Sequence, residues 1–200
     1  YNIFFFNKNF FDNNSDTIPN WNKLDPNKFI KLSFLKKIPK YQNKIDFFLK
    51  KNKLNKKKLV TLTVRNNPYS KQYNTPKKLI VKIFNFLKKQ NYHPLIINDN
   101  IYPMNFDKKI QVLNSNDFLF RSQFYTYSIL NISTSRGAGN LIITLPTNWI
   151  IFNFQKEGIK RYKFFKKLNN LKNNFSELSM TFNDFNSIKK IILNFHQSNA

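Results

Sequence analysis

The chain has 200 residues and a formal net charge of +24, from 34 Lys and Arg against 10 Asp and Glu. It contains no Cys and only two His, His93 and His196, which excludes disulfides and thiolate metal sites and leaves few ligands for a metal centre. No run of about 18 apolar residues occurs, so no membrane-spanning helix is expected.

The charge of the chain normally suggests a partner that is itself a polyanion, either a nucleic acid or an anionic membrane surface. Only four of the basic residues are Arg, however, and the Lys accompany abundant Asn, Ile, Phe and Tyr, all residues with AT-rich codons. The composition therefore favours genome bias at tolerant surface positions. A nucleic-acid-binding surface stays open as the alternative.

Residues 1–58 are predicted as a loop followed by a basic helix. Between Lys36 and Lys58, ten Lys accompany a single acid, Asp46. Apolar residues recur in this segment at helical spacing: Ile38, Tyr41, Ile45, Phe48 and Leu49. The pattern predicts a basic amphipathic helix, which either packs its apolar stripe on the next domain or contacts anionic lipid headgroups.

Residues 59–200 are predicted as an α/β domain, because short β-branched runs alternate with amphipathic helical patterns. The predicted strands are 59–64, 93–97, 110–113, 129–133 and 149–152. The predicted helices begin at Thr75, which caps a helix with Pro76 at its first position, at Asp117 and at Asn140. The short connections predict a Rossmann-like parallel sheet with flanking helices.

The stretch Ser133-Thr-Ser-Arg-Gly-Ala-Gly-Asn140 holds two of the three glycines of the chain. It lies between a predicted strand and a predicted helix, where open parallel sheets bind their ligands. Gly137 and Gly139 allow the backbone to approach a ligand closely, and the helix N–H groups then face an anion. A tight turn that serves only packing is the alternative interpretation.

Arg65 and Arg136 are the candidate anion-binding side chains. In a chain that uses Lys for nearly all of its positive charge, an Arg indicates planar, bidentate recognition. Arg65 ends the first predicted strand and Arg136 lies in the glycine turn, so both reach one crevice suited to a diphosphate. An ordinary surface Arg is the alternative for each. Arg121 is predicted to form a local ion pair with Asp117, four residues earlier.

Short motifs occur in a fixed order between residues 59 and 160: Val60–Tyr69, Tyr73–Thr75, His93–Asp99, Leu119–Asn131 and Ser133–Gly137. In order and spacing they resemble a family of bacterial glycosyltransferases that is similar to the GT-B sugar transferases, with fucosyltransferase-like relatives. The chain departs from this family at Tyr73, where Arg is usual. It also has Arg136-Gly-Ala138 where the family tends to have Asn-Gly-Pro.

The resemblance implies transfer of a sugar from a nucleotide-sugar donor to a glycan or lipid-linked acceptor, as in the assembly of cell-surface polysaccharide. Arg65 matches the Arg that holds the donor phosphates in fucosyltransferase-like enzymes. The expected donor diphosphate site comprises Arg65, Ser135, Arg136, Gly137, Gly139 and Asn140, and the loop beside it contributes Asn66, Tyr69 and Asn74.

Asp99 is the candidate catalytic base, because it is the acid that the predicted topology places at a strand end; an ordinary turn residue is the alternative. No metal or cofactor is expected beyond the donor substrate, since Arg and helix N-termini offset the charge of a leaving diphosphate. The enzyme is expected in the cytoplasm, with segment 36–58 against the inner face of the membrane.

Residues 1–58 are then interpreted as a truncated acceptor-side domain and residues 59–200 as the nucleotide-sugar-binding domain. Two other functions remain open from the sequence. One is a Lys-rich nucleic-acid-binding protein, and the other is a degenerate, non-catalytic α/β domain.

Overall fold

The computed structural model describes residues 38–98, 102–115, 117–135, 138–145, 147–152, 159–171, 173–179 and 184–198. Its strands are β1 (Leu59–Thr63), β2 (His93–Ile97), β3 (Val112–Leu113), β4 (Leu130–Thr134), β5 (Trp149–Phe152) and β6 (Ser176–Ser179). They form one sheet in the order β3-β2-β1-β4-β5-β6, and all neighbouring strands are parallel. This is the strand order of a doubly wound, Rossmann-like sheet, as predicted.

The helices are α1 (Pro39–Lys51), α2 (Lys77–Lys89), α3 (Phe118–Tyr127), α4 (Ala138–Ile142), α5 (Ile159–Leu171) and α6 (Phe185–Ser198). The described ranges also include two short 3-10 helices, Lys56–Lys58 and Pro68–Tyr73, in the connections. None of the helices in the described ranges is both long and apolar enough to cross a membrane.

Side chains on the two faces of the sheet form two separate cores, because successive strand residues point to opposite sides. One core joins Leu59, Ile97 and Trp149 to residues of α1, α3, α4 and α5. The other joins Val60 and Ile96 to residues of α2 and α6. Both faces of the central strands are thus covered, which explains why these strands read as nearly continuous apolar runs.

The basic helix α1 packs into the first of these cores. Its buried residues lie along one side: Tyr41, Ile45 and Leu49. The ring of Phe48 also contacts that of Phe124 on α3, with 5.4 Å between the ring centres. The apolar stripe of the predicted helix therefore packs on the sheet domain. The division of the chain after residue 58 stays a prediction.

The predicted start of α2 is wrong. The helix begins at Lys77, with Pro76 as its N-cap residue. The hydroxyl of Thr75, predicted to cap this helix, instead accepts a hydrogen bond from the N–H of Arg65 at 3.0 Å. The Thr75 hydroxyl therefore closes the loop before α2 and does not cap the helix.

The predicted starts of α3 and α4 lie close to the observed ones. The carboxylate of Asp117 caps α3 as predicted, accepting a hydrogen bond from the N–H of Phe120 at 2.9 Å. Helix α4 begins at Ala138, two residues before the predicted start at Asn140. No helix or strand is predicted beyond residue 152, whereas the structure has α5, β6 and α6 in this part of the chain.

Candidate functional site

The order of the strands reverses between β1 and β4, which are hydrogen-bonded neighbours. Helix α2, which follows β1, packs on one face of the sheet, and α4, which follows β4, packs on the other. Chain segments that leave on opposite faces open a crevice at the carboxyl edge, where doubly wound sheets bind nucleotides. The prediction that the strands ending near Arg65 and Ser133 open toward the same edge is confirmed by this pairing.

Arg65 lies at this crevice, two residues beyond the end of β1. Its backbone is fixed by Thr75: the N–H of Arg65 donates to the Thr75 hydroxyl, and the Thr75 N–H donates to the Arg65 carbonyl at 2.9 Å. The side chain is half-buried. Among the described residues, the buried Nε atom of this guanidinium has no hydrogen-bond partner. A buried charged donor in this state is suited to an incoming anion.

The loop between β1 and α2 is closed by a second pair of hydrogen bonds. The side-chain amide of Asn74 donates to the carbonyl of Asn67 at 2.9 Å, and its oxygen accepts from the N–H of Asn67 at 2.7 Å. Asn74, predicted as a site residue, therefore holds the loop together. Asn66, in the same loop, is half-buried.

Tyr69 lies at the tip of this closed loop and is 85% exposed. Its ring meets the edge of the Tyr102 ring, with 6.2 Å between the ring centres. Tyr102 belongs to the connection between β2 and β3, so the two tyrosines come from adjacent loops at the same carboxyl edge. The exposed Tyr69 and the half-buried Tyr102 form an aromatic rim beside the end of β1.

Asn98 organises the connection after β2. It is buried, its side-chain amide donates to the Met104 carbonyl and to the Asn114 side chain at 2.9 Å each, and its oxygen accepts from the Met104 N–H. These bonds hold the long connection against the end of β2. Asp99, the candidate catalytic base, lies outside the described residues and its role stays a prediction.

The residues of the expected anion site at the end of β4 are described only in part. Ser135 is buried, and its N–H donates to the Phe152 carbonyl on β5 at 2.8 Å, so this amide already has a partner. Arg136 and Gly137 lie outside the described residues. Helix α4 has only five residues and therefore contributes a small helix dipole.

Gly139 allows α4 to pack directly on β4. A Cβ atom at this position would lie 2.0 Å from the carbonyl oxygen of Thr134. Of the two interpretations of the glycine turn, packing is thus shown for Gly139. Asn140 also has a partner within the chain, because its side-chain oxygen accepts a hydrogen bond from the Tyr162 hydroxyl at 2.8 Å. Roles of Ser135, Gly139 and Asn140 in holding a diphosphate stay predictions.

Arg121 occupies a different position from the one predicted. Among the described residues it forms no ion pair with Asp117. One terminal guanidinium nitrogen instead donates to the Asn98 carbonyl at 3.1 Å, and its buried Nε has no partner in the described part of the chain. The prediction of a local ion pair is wrong because the carboxylate of Asp117 has other partners. It binds the Phe120 N–H and the Tyr41 hydroxyl.

The contacts of Asp117 also change its ionisation. The hydrogen bond from the Phe120 N–H, aided by the Tyr41 hydroxyl and the charge of Lys44, holds the pKa of this carboxyl below its usual value. Asp117 is thus a capping residue at the start of α3. The carboxylate stays ionised without any help from Arg121.

A buried polar network connects α3 to the middle of the sheet. The Thr61 hydroxyl donates to the Asn131 side chain at 2.6 Å, and the Thr63 hydroxyl donates to the Tyr125 hydroxyl at 3.2 Å. Burial raises the pKa of Tyr125, while the bond from Thr63 and the charge of Arg121 act in the opposite direction. Tyr125 is therefore a neutral phenol that fixes α3 against the end of β1.

A separate cleft of about 450 Å³ lies at the opposite, amino edge of the sheet, beside the start of β6. Its lining comprises Lys166, Asn170, Asn173, Asn174, Phe175, Ser176, Glu177 and Ser198. Among the described lining residues the one Lys, Lys166, is paired with Glu177, with 2.9 Å between the charged atoms. The described part of this cleft therefore differs from the carboxyl edge, where two arginines have no carboxylate partner among the described residues.

Comparison of the chain with known protein families, with curated proteins and with solved structures finds no match. The likeness to glycosyltransferases thus stays a prediction from the sequence. In the described part of the chain, no three His, Asp or Glu side chains come together as a group that could hold a metal ion. The functional assignment accordingly depends on the carboxyl edge of the sheet.

Proposed function

We propose that this chain binds a nucleotide-sugar donor at the crevice between β1 and β4 and transfers its sugar to a glycan or lipid-linked acceptor, as a GT-B-type glycosyltransferase. The observation that supports the proposal is the position of Arg65. It lies where the strand order reverses, and its buried Nε has no partner among the described residues. A diphosphate in this crevice would provide that partner.

The chemistry of sugar transfer explains why a guanidinium is suited to this position. As the bond between the anomeric carbon and the phosphate oxygen breaks, negative charge accumulates on the leaving nucleoside diphosphate. A planar guanidinium can donate two parallel hydrogen bonds to phosphate oxygens. Because the Arg65 side chain is half-buried, such bonds should stabilise the transition state more than they would in water.

The aromatic rim supports the nucleotide part of the proposal. Tyr69 is exposed at the tip of a loop whose base is fixed by two pairs of hydrogen bonds. An exposed ring on a fixed loop loses little conformational entropy when a flat ligand packs on it. We assign Tyr69, with Tyr102 beside it, to packing against the base or the sugar ring of the donor.

A thermal-shift screen of nucleoside diphosphates and nucleotide sugars, followed by calorimetry, tests the proposal. The wild type should be stabilised by at least one of these ligands. Arg65→Lys keeps the charge and loses the planar fork, so it should weaken binding by about tenfold or more. The nucleotide sugar that stabilises the protein is then used as the donor in a transfer assay. The enzyme should release nucleoside diphosphate from this donor when a cell extract that contains glycan or lipid-linked acceptors is added.

Two results would contradict the proposed binding site, and a third would contradict the proposed transfer. One is the absence of any stabilising nucleotide at millimolar concentration. The other is equal affinity of the wild type and the Arg65→Lys variant, since the guanidinium would then have no part in binding. Binding without any transfer would leave a nucleotide-binding domain and remove the transferase activity.

A further inference from the structure

Arg121 reaches the carboxyl edge of the sheet at the end of β2, the strand next to β1. It donates to the carbonyl of Asn98, the residue that directly follows β2. Strands β1 and β2 are paired with Thr63 opposite Ile97, and the N–H of Val64 continues the ladder by donating to the Ile97 carbonyl. The chain at Asn98 therefore runs alongside the chain that leads into Arg65.

The two arginines also belong to the same face of the sheet. Tyr125, one helical turn after Arg121, accepts a hydrogen bond from Thr63, two residues before Arg65. Strand alternation places Leu59, Thr63 and Arg65 on one side, and Leu59 shares its core with α3 residues. The positive charge of Arg121 acts to lower the pKa of the Tyr125 phenol, which is consistent with a guanidinium on this side of the sheet.

Neither guanidinium is compensated within the described part of the chain. The ion pairs found there join Lys56 to Asp46 and Lys166 to Glu177, and neither pair involves an Arg. Both arginines have a buried Nε without a partner among the described residues. Cations held at one edge of a sheet repel each other, and an anion with more than one charge between them relieves that repulsion.

We propose that Arg65 and Arg121 form a two-arginine clamp that binds two linked phosphates and so selects diphosphates over monophosphates. The proposal rests on the donor site assigned above and names a residue that the sequence interpretation had placed in a local ion pair. Arg121 would thus make the site selective for diphosphates, because a single phosphate can pair with only one of the two guanidinium groups.

Calorimetry with inorganic pyrophosphate and orthophosphate at equal ionic strength tests the clamp. The proteins are the wild type, Arg65→Gln, Arg121→Gln and the control Lys190→Gln. Lys190 is exposed on α6, on the opposite face of the sheet from α3, and its replacement removes the same single charge. The control therefore accounts for the effect of net charge alone.

The clamp predicts that the wild type binds pyrophosphate at least about tenfold more tightly than orthophosphate. Arg65→Gln and Arg121→Gln should each lose at least about tenfold in pyrophosphate affinity and most of the preference, whereas Lys190→Gln should stay within about twofold of the wild type. Arg121→Lys keeps a donor for the Asn98 carbonyl but no fork. Arg121→Lys should therefore fold like the wild type and still lose the preference for pyrophosphate over orthophosphate. This variant tests the clamp even if Arg121→Gln fails to fold.

The outcomes separate the clamp from the transferase proposal. If Arg65→Gln loses affinity and Arg121→Gln and Arg121→Lys behave like the control, the clamp is overturned and the donor site at Arg65 stands. If Arg121→Gln loses affinity and Arg65→Gln does not, the clamp is also overturned. If the pyrophosphate preference depends on both arginines and no nucleotide sugar binds, the clamp stands and the transferase proposal falls.

Discussion

The buried Nε atoms of Arg65 and Arg121 have no hydrogen-bond partner among the described residues. An unpaired buried donor costs about 1–3 kcal/mol, and more when it is charged. A ligand that pairs both groups removes this cost, so its binding should also stabilise the fold. The buried Nε1 of Trp149 also has no partner among the described residues, but its indole is neutral and lies at the amino end of β5 within an apolar core.

Gly139 shows how a single residue sets the distance between a helix and a strand. Its missing Cβ lets α4 approach the backbone of β4, and the atom that a Cβ would meet is the Thr134 carbonyl oxygen. Backbone atoms in a buried strand move at greater cost than the end of a flexible side chain. The position therefore requires Gly for packing.

Replacement of Gly139 by Ala should destabilise the protein. Helix propensity alone predicts a gain of about 1 kcal/mol from Gly to Ala. The overlap with Thr134 should outweigh it, because forced overpacking in a buried contact costs about 1–3 kcal/mol. Urea unfolding of the two proteins measures the sign, and a more stable Gly139→Ala variant would show that α4 is not packed this closely on β4.

Helix α1 is the element for which the sequence leaves two roles open. Its sequence suits either a surface helix that meets anionic lipid or a helix packed on the domain. In the structure the apolar stripe of α1, formed by Tyr41, Ile45 and Leu49, is buried in the core of the sheet domain. Phe47, 69% exposed among Lys residues, is the large apolar side chain of α1 that stays open to solvent.

A matched pair of substitutions distinguishes these two roles of α1. Ile45→Ala should lower the free energy of unfolding by about 2–4 kcal/mol, because it leaves a cavity in a fully buried site. Phe47→Ala should change it by less than about 0.5 kcal/mol, as is usual for exposed positions. Chemical denaturation measures both values. Equal small effects would mean that α1 is not packed on the sheet, and the lipid-facing role would regain support.

Much of the fold could be predicted because its strands are short, apolar and β-branched and are separated by helical patterns. The parallel sheet and the shared edge of β1 and β4 follow from that alternation. The start of α2 could not be predicted, since Thr75 exchanges its capping role for a bond to Arg65 across ten residues. Such a bond depends on how the loop closes, which periodicity does not encode.

The candidate site could be predicted only in part. Arg65 stands out because Arg is rare in this chain and ends a strand. Arg121 was missed because Asp117, four residues earlier on the same helix, offered a local partner. In the structure that carboxylate caps the helix, which leaves the guanidinium for the carboxyl edge. An N-cap Asp is therefore a poor predictor of an ion pair with the next turn.

The net charge of +24 affects how any binding result must be interpreted. Excess positive charge attracts every polyanion, through contacts that are steeply salt-dependent and carry no selectivity. Weak binding of nucleotides or nucleic acids at low salt is thus expected from composition alone. What distinguishes a donor site is where on the molecule the anion binds.

An amide NMR titration of the labelled protein with guanosine and uridine diphosphates at physiological salt measures that location. The donor site predicts that the largest shifts occur at the carboxyl edge, around Arg65, Asn98 and Arg121. The amides of Asn170 and Asn174, at the amino-edge cleft, should stay unchanged. Shifts centred on that cleft, or spread over the Lys-rich surface with no maximum near Arg65, would contradict a nucleotide site at the crevice between β1 and β4.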